Sequence, residues 1–403
     1  MKTLFRNTLS CLCALALSLT AVAAEPIDTC VTSITTAGAL VLAVEPLDLF
    51  RAGYEPGDVV DVDICGEKLQ LPYCKGYSEV LIGESLLYES SGSVFISTNY
   101  GHFAGEHNLA EWDGEYWQLP EEKSEENSQE SSKKSSKKDA EDDSEEDPNP
   151  FKSLTVKITL AQKGGYSAMR EKLRLKSSNQ RGDYITDEEY SNFRTVAGGR
   201  LGHNVLYRSS TPASITRLRA VFADHLVEKA GVKTVLNMAN AESRLKKVMD
   251  TPRKVIPYYR SLFNAGAVIA RALPADLAEE RFRDGLAEEL RFLISREGPY
   301  LVHCFEGKDR TGYVCYLLGS LMGLTPQELK DDYGASFTNF YWLRPGSEVY
   351  EILVNDGLAY FLRTMRGAQA DAHLPDLARG YLRSIGLSER EISKLEDRLS
   401  TDY

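Results

Sequence analysis

Alternation is the first pattern the chain shows. In VVDVDI, residues 59–64, apolar and polar positions swap at nearly every step, the period of a strand with one buried face. Short β-rich runs recur at 31–44, 68–74, 86–90 and 93–98, with turn residues at 55–58, 65–68 and 90–93 between them. Several short strands so spaced predict a small all-β barrel or sandwich over 30–119. LTVKITL at 154–160 alternates in the same way and is expected to belong to that domain, which then spans 25–166.

From about residue 167 the period changes. Short apolar runs at 200–209, 231–238 and 299–303 read as strands. Residues 276–296 place Leu277, Phe282, Leu286, Leu290 and Leu293 at helical spacing, and 311–322 is a second helical run. Strands alternating with helices predict an α/β domain over 167–403, with a mostly parallel central sheet flanked by helices.

Charge changes this picture at one place. The 403 residues carry a net charge of −12, which argues against a generic nucleic-acid binder. Residues 121–150 hold twelve acidic side chains and five lysines, leaving only −5 for the rest of the chain. With no aromatic or aliphatic residue larger than Ala140, that stretch cannot offset its ordering entropy and is expected to be disordered. It is either an insertion in a barrel loop or the linker between the domains.

The first 24 residues add a compartment. Lys2 and Arg6 precede a short apolar run, Leu9 to Leu19, and small residues at 21–24 suit a cleavage site. This is the form of a secretory signal peptide, and no later run is long enough to span a bilayer. An exported protein, periplasmic or secreted, is expected. Cleavage leaves Cys30, Cys65, Cys74, Cys304 and Cys315. The odd count predicts at least one free thiol, and one disulfide among the first three is plausible, with the pairing open.

The candidate chemistry lies at 300–312, YLVHCFEGKDRTG, a strand, a loop and then a helix. A loop feeding a helix N-terminus gathers backbone N–H groups at one spot, and the helix dipole adds positive potential there. Gly307 allows a sharp turn and close approach to a ligand. Arg310 offers a planar fork for two phosphate oxygens. Cys304 sits at the base, where the same field favours its thiolate, the nucleophilic form. Cys315 lies three helical turns further on and reads as a core residue. The histidines show no spacing that marks a metal site, and no cofactor is expected.

His303 to Gly312 resembles the His-Cys-x5-Arg-Thr/Ser-Gly signature of the cysteine-dependent tyrosine phosphatases. The inner 307–310, GKDR, is similar to the bacterial branch that also acts on phosphoserine and phosphoinositides. Residues 192–194 (NFR), 205–209 (VLYRS) and 231–235 (GVKTV) resemble that branch too, with Thr195 where an aspartate is usual. The resemblance implies a phosphomonoesterase working through a cysteinyl-phosphate. Cys304 would be the nucleophile and Arg310 the phosphate clamp. His303 would hold the loop and favour the thiolate, and Thr311 would hydrogen-bond the departing thiolate. The backbone amides of Phe305, Glu306, Gly307, Lys308, Asp309 and Arg310 would bind the phosphate oxygens. The general acid is expected to be Asp309, with Asp276 the alternative. The Lys308 side chain either adds charge for a multiply phosphorylated ligand or is solvated. The substrate class stays open among phosphorylated protein, lipid and inositol.

The N-terminal part resembles the C-terminal β-barrel of S-adenosylmethionine hydroxide adenosyltransferases, at 31–35, 38–41, 56–58, 77–80, 83–84 and 99–101. That family's catalytic residues lie largely on a preceding domain with no counterpart in this sequence. The barrel is then a retained nucleoside-binding surface or a packing module. A catalytically silent binder of phosphate ligands or nucleosides is the alternative to the enzyme.

Overall fold

The computed structural model describes residues 24–113, 116–120, 149–251, 255–367 and 373–403. The expected signal peptide, Ala24 apart, and the acidic stretch up to residue 148 lie outside them.

The barrel strands are β1 (Ile27–Ile34), β2 (Leu40–Leu42), β3 (Val59–Ile64), β4 (Glu67–Cys74), β5 (Ser85–Ser90) and β6 (Ser93–Thr98). A short ribbon follows, β7 (Glu111–Trp112) and β8 (Trp117–Gln118), and then β9 (Thr155–Gln162). Six strands and β9 close a barrel in the order β1-β2-β6-β5-β4-β3-β9. β9 pairs with both β1 and β3, so the acidic stretch interrupts the barrel's sequence instead of following it. The alternation works as the pattern demands: Val60, Val62 and Ile64 are buried while Asp61 faces out. Cys65-Gly66 and Ser91-Gly92 take positive φ at both positions, the two-residue turn that matches the twist of flanking hairpin strands.

The second sheet has the order β10-β11-β14-β12-β13. Its strands are β10 (Arg194–Thr195), β11 (Leu206–Ser209), β12 (Thr234–Asn237), β13 (Val268–Ala270) and β14 (Tyr300–His303). All pairs are parallel except β10 with β11. Every residue of β11, β12 and β14 is buried, because helices cover both faces. Leu206, Leu236 and Val302 join one core, and Tyr207, Val235 and Leu301 join the core behind the sheet. The helix Asp309–Leu321 follows β14 and is buried at all but its first two residues. The long amphipathic helix runs Glu280–Ile294, starting one turn after the run of apolar residues begins, since 276–279 form the bend that enters it. No helix of the described residues is long and apolar enough to cross a membrane.

All five described cysteines are free, so the structure makes no disulfide among Cys30, Cys65 and Cys74. Cys315 lies in the core, as its spacing suggested, and burial pushes its thiol up to about 12.

Barrel and α/β domain meet through specific contacts. The Ile82 amide donates to Asp356 Oδ2 at 2.9 Å, and the ring of Tyr100 tilts against that of Tyr360 at 5.8 Å. His102 Nε2 lies 3.0 Å from Asp276 Oδ2 and 3.6 Å from Glu279 Oε1. The carboxylate bond raises His102 above its ordinary value despite partial burial. Burial pushes Asp276 up, but hydrogen bonds from His102, the Ala278 amide and the Tyr360 hydroxyl outweigh it and hold the group low. The bridge is therefore fully formed between about 3.8 and 6.5, the unperturbed values of the two groups. A raised histidine contributes stability that is lost as pH climbs through its folded-state value. We predict that the melting temperature falls as pH rises above 6.5 and that His102→Gln flattens this slope; an unchanged slope would remove the bridge from the stability of the interface.

Candidate active site

The site is a loop whose backbone has been turned inside out. Between β14 and the helix Asp309–Leu321, every carbonyl from Cys304 to Lys308 is bonded on the outer side. His303 Nδ1 donates to the Cys304 carbonyl at 3.3 Å, and the Thr211 amide to that of Phe305 at 3.0 Å. Asn192 Nδ2 donates to Glu306 O at 3.0 Å and to Gly307 O at 3.3 Å. Arg208 Nη2 reaches Gly307 O at 2.7 Å and Lys308 O at 3.3 Å. In a trans peptide the N–H points opposite to the C=O, so the amides of residues 305–309 face the inside of the loop. Lys308 at the helix N-cap makes no side-chain cap, leaving the first-turn amides to the same concavity.

The outer clamp is a buried cluster. Arg208 is fully buried and pairs with Asp332, which also takes Arg194 Nε at 3.1 Å. Arg194 Nη1 holds Asn192 Oδ1 at 2.6 Å. Burial pushes Asp332 up, yet the two guanidiniums prevail and keep it low. The sequence offered Arg208 as either a pocket-bordering or a structural residue and Asp332 only as a reserve candidate for the acid; their pairing was not visible, because an arginine on a strand and an aspartate about 120 residues away carry no local sign of meeting.

Gly307 has φ +71°, and a Cβ there would lie 2.1 Å from Ser209 O. A close approach that requires glycine is thus to the end of β11. Cys304 is buried at the base of the loop. Arg310 is anchored through Nη1, which donates to Met238 O and Leu273 O, both at 2.7 Å, and its guanidinium sits 5.4 Å from the Phe305 ring.

Burial pushes His303 down to about 3, so any help it gives the thiolate comes through its hydrogen bond to the Cys304 carbonyl and not through a charge. Since Nδ1 donates to a carbonyl, Nε2 accepts from the Tyr259 hydroxyl at 3.0 Å, which in turn receives Asn237 Nδ2 at 2.9 Å. This chain fixes the ring and, through it, the start of the loop. Thr311 is buried, but its hydroxyl makes no hydrogen bond here, so the predicted bond to the Cys304 sulfur is not formed in this state.

Lys308 is not a solvated side chain. Its Nζ lies over the rings of Tyr341 and Phe337 at 5.0 and 5.3 Å, with Asp309 at 3.7 Å and Glu306 at 3.8 Å. Burial opposes its charge, but those carboxylates more than compensate. Glu306 also accepts from the Tyr341 hydroxyl at 2.6 Å. Asp309 opens the helix, partly exposed at the mouth of the loop. Asp276 is instead buried in the bridge to His102 and Tyr360. His102, Asp276 and Glu279 bring metal-ligand atom types within 4.8 Å of one another, a grouping that no spacing in the sequence could show.

A family model described as tyrosine phosphatase family matches residues 188–401. The chain belongs to that family. A tyrosine-protein phosphatase of Nostoc commune is 31% identical over 125 residues, 27% of this chain and 42% of the relative. The chain thus spans less than half the length of the curated relative it matches. Two solved structures are similar at low scores. One, an uncharacterized conserved protein from Thermotoga maritima, has a TM-score of 0.21 at 18% identity over 33% of this chain and 36% of that one. The other, the core catalytic domain of a PP-IP phosphatase from S. cerevisiae, has 0.24 at 19% identity over 41% and 83%.

In this tyrosine phosphatase family member, removing one partner of the Arg208–Asp332 pair strands a buried charge, a loss of about 3–5 kcal/mol. Asp332→Ala should show it as a drop in urea midpoint together with loss of any activity, since the loop carbonyls lose their clamp. Gly307→Ala should be damaging through both its φ and its clash with Ser209 O; a variant as stable and active as the parent would mean the loop is not built this way.

Proposed function

We propose that this chain is an exported phosphatase that hydrolyses phosphomonoesters through a cysteinyl-phosphate on Cys304. The observation that carries the reading is the loop itself: five successive carbonyls bonded outward, and the amides that oppose them gathered round a buried cysteine at a helix N-terminus. Such a concavity matches three phosphoryl oxygens better than any neutral ligand.

The Cys304 thiolate attacks phosphorus, the ester P–O bond breaks, and Asp309 gives its proton to the departing oxygen. Water then attacks the cysteinyl-phosphate, its proton passes to Asp309, and the S–P bond breaks to release phosphate and thiolate. Arg310, held through Nη1 by two carbonyls, presents its remaining guanidinium edge to the oxygens. Thr311 turns its hydroxyl to the sulfur as the thiolate leaves. His303 acts as a neutral brace. Asp309 is favoured over Asp276 as the acid because Asp276 is committed to His102, Ala278 and Tyr360 and held ionised. Phosphotyrosine, phosphoserine and phosphoinositide remain the candidate substrates, and residues 1–24 support export.

Turnover of p-nitrophenyl phosphate should be abolished by Cys304→Ser, and alkylation of Cys304 should be blocked by vanadate. Turnover that survives the substitution would refute the reading in favour of a silent phosphate-ligand binder. A general acid is worth typically 10²–10⁴-fold, and the need for it grows with leaving-group pKa. Asp309→Asn should therefore depress hydrolysis of an alkyl phosphate far more than that of p-nitrophenyl phosphate, whereas Asp276→Asn should not change that ratio. The reverse pattern would assign the proton to Asp276.

A further inference from the structure

His102, Asp276 and Glu279 form a cluster outside the phosphate loop, with no part in the chemistry at Cys304. The histidine comes from the barrel domain, and the two carboxylates from the segment that enters the long helix Glu280–Ile294. His102 Nε2 lies 3.0 Å from Asp276 Oδ2 and 3.6 Å from Glu279 Oε1, and one ligand atom of each residue falls within 4.8 Å of the other two. A hydrogen bond accounts for the first distance and not for the second. Both are close to the separations that neighbouring ligands keep round a divalent ion. Bonds of about 2.0–2.2 Å, at tetrahedral to octahedral angles, put the ligand atoms about 3.0–3.5 Å apart.

The surroundings suit a cation. Asp276 Oδ1 accepts from the Tyr360 hydroxyl at 2.8 Å and from the Ala278 amide at 2.9 Å, which turns Oδ2 toward His102. Ligating carboxylates are oriented by hydrogen bonds of this kind. Charge is unbalanced at the cluster, because a protonated histidine supplies one positive charge to two carboxylates. Arg281, close by, donates to the Ala272 carbonyl at 3.4 Å and forms an ion pair with neither. Two clefts, of about 910 and 450 Å³, both reach His102 and Glu279 and give the cluster a path to solvent. The described lining of the larger one carries six carboxylates, Glu106, Glu111 and Asp284 among them, against Arg281. A cleft lined by one sign of charge concentrates ions of the other.

We propose that His102, Asp276 and Glu279 bind a divalent transition-metal ion, zinc or manganese, that clamps the barrel to the α/β domain. The proposal goes beyond the phosphatase reading and does not depend on it. An imidazole nitrogen with two carboxylates suits these ions, whereas calcium takes six to eight oxygens and magnesium near-ideal octahedral oxygen ligands. The ion takes the place of the proton between His102 and Asp276, which passes to solvent, and its double charge then meets both carboxylates. Water from the clefts completes the coordination. The clamp closes three residues from Leu273, whose carbonyl anchors Arg310, so the ion ties the barrel to the segment that holds the phosphate clamp.

The test is calorimetric titration of Zn²⁺ into the full chain after treatment with a chelator and dialysis. The chain carries Cys304→Ser, so that the loop thiol does not compete for the ion. One ion should bind per chain and, at about a hundredfold excess over Kd, raise the melting temperature by about 3–5 °C. Glu279→Gln leaves the His102–Asp276 bridge in place and should weaken binding by about tenfold or more. His102→Gln should abolish it. Ca²⁺ and Mg²⁺ at the same concentration should leave the melting temperature where it was. Absence of binding would reduce the cluster to an ion pair, and binding unchanged in Glu279→Gln would place the ion on another group; either result overturns the proposal. An equal shift with Ca²⁺ overturns the assignment to a transition metal. Should His102→Gln fail to fold, Glu279→Gln decides alone. Absence of Cys304-dependent turnover in the parent chain would sink the phosphatase reading and leave these measurements untouched.

Discussion

The Arg208–Asp332 pair is the interaction on which the site depends. A guanidinium with no solvent exposure needs its charge met, and here Asp332 meets it through Nη1 while the carbonyls of Gly307 and Lys308 take Nη2, leaving Nε without a hydrogen-bond partner. Asn192 and the Thr211 amide hold the carbonyls before them. Once the carbonyls are fixed outward, planarity of the peptide turns the amides inward with no further device. The anion cradle is thus set by what lies behind the loop, and Gly307 is required because that backing passes within van der Waals contact of its backbone.

A second constraint is neutrality at the sulfur's neighbour. His303 is buried so deeply that it stays uncharged, and a chain from Asn237 through Tyr259 sets its tautomer. Positive potential in the concavity then comes from the amides, the helix dipole and Arg310. Lys308 adds little to it, since Glu306 and Asp309 absorb its charge. The partition keeps one cation and a set of fixed dipoles facing the ligand, which suits an anion that must enter and leave.

The barrel meets the α/β domain at three kinds of contact: the Ile82–Asp356 hydrogen bond, the His102–Asp276 bridge and the Tyr100 ring. The bridge reaches the loop at 273–276, while the hydrogen bond and the ring meet the helix Glu348–Arg366 at Asp356 and Tyr360. The bridge also explains why Asp276, the carboxylate placed before the long helix, is unsuited to donating a proton near neutral pH. Its partner comes from another domain 174 residues earlier in the chain.

Much of this was legible without coordinates. VVDVDI and LTVKITL gave period-two strands, and a half-buried barrel strand admits little else. The runs at 206–209, 234–237 and 300–303 lack alternation because both faces of their sheet are covered, and that too is a sequence property. The local run from His303 to Gly312 determined the strand, the loop, the helix and the residue types that face an anion, since all lie within ten residues. Other features depended on distance. Whether His303 is charged, whether Lys308 is solvated, what Gly307 approaches and which aspartate is free follow from groups that the fold brings from Asn192, Arg208, Tyr259, Asp332 and the barrel. Burial and charge pairing are properties of neighbours in space, and only the tertiary structure decides who those neighbours are.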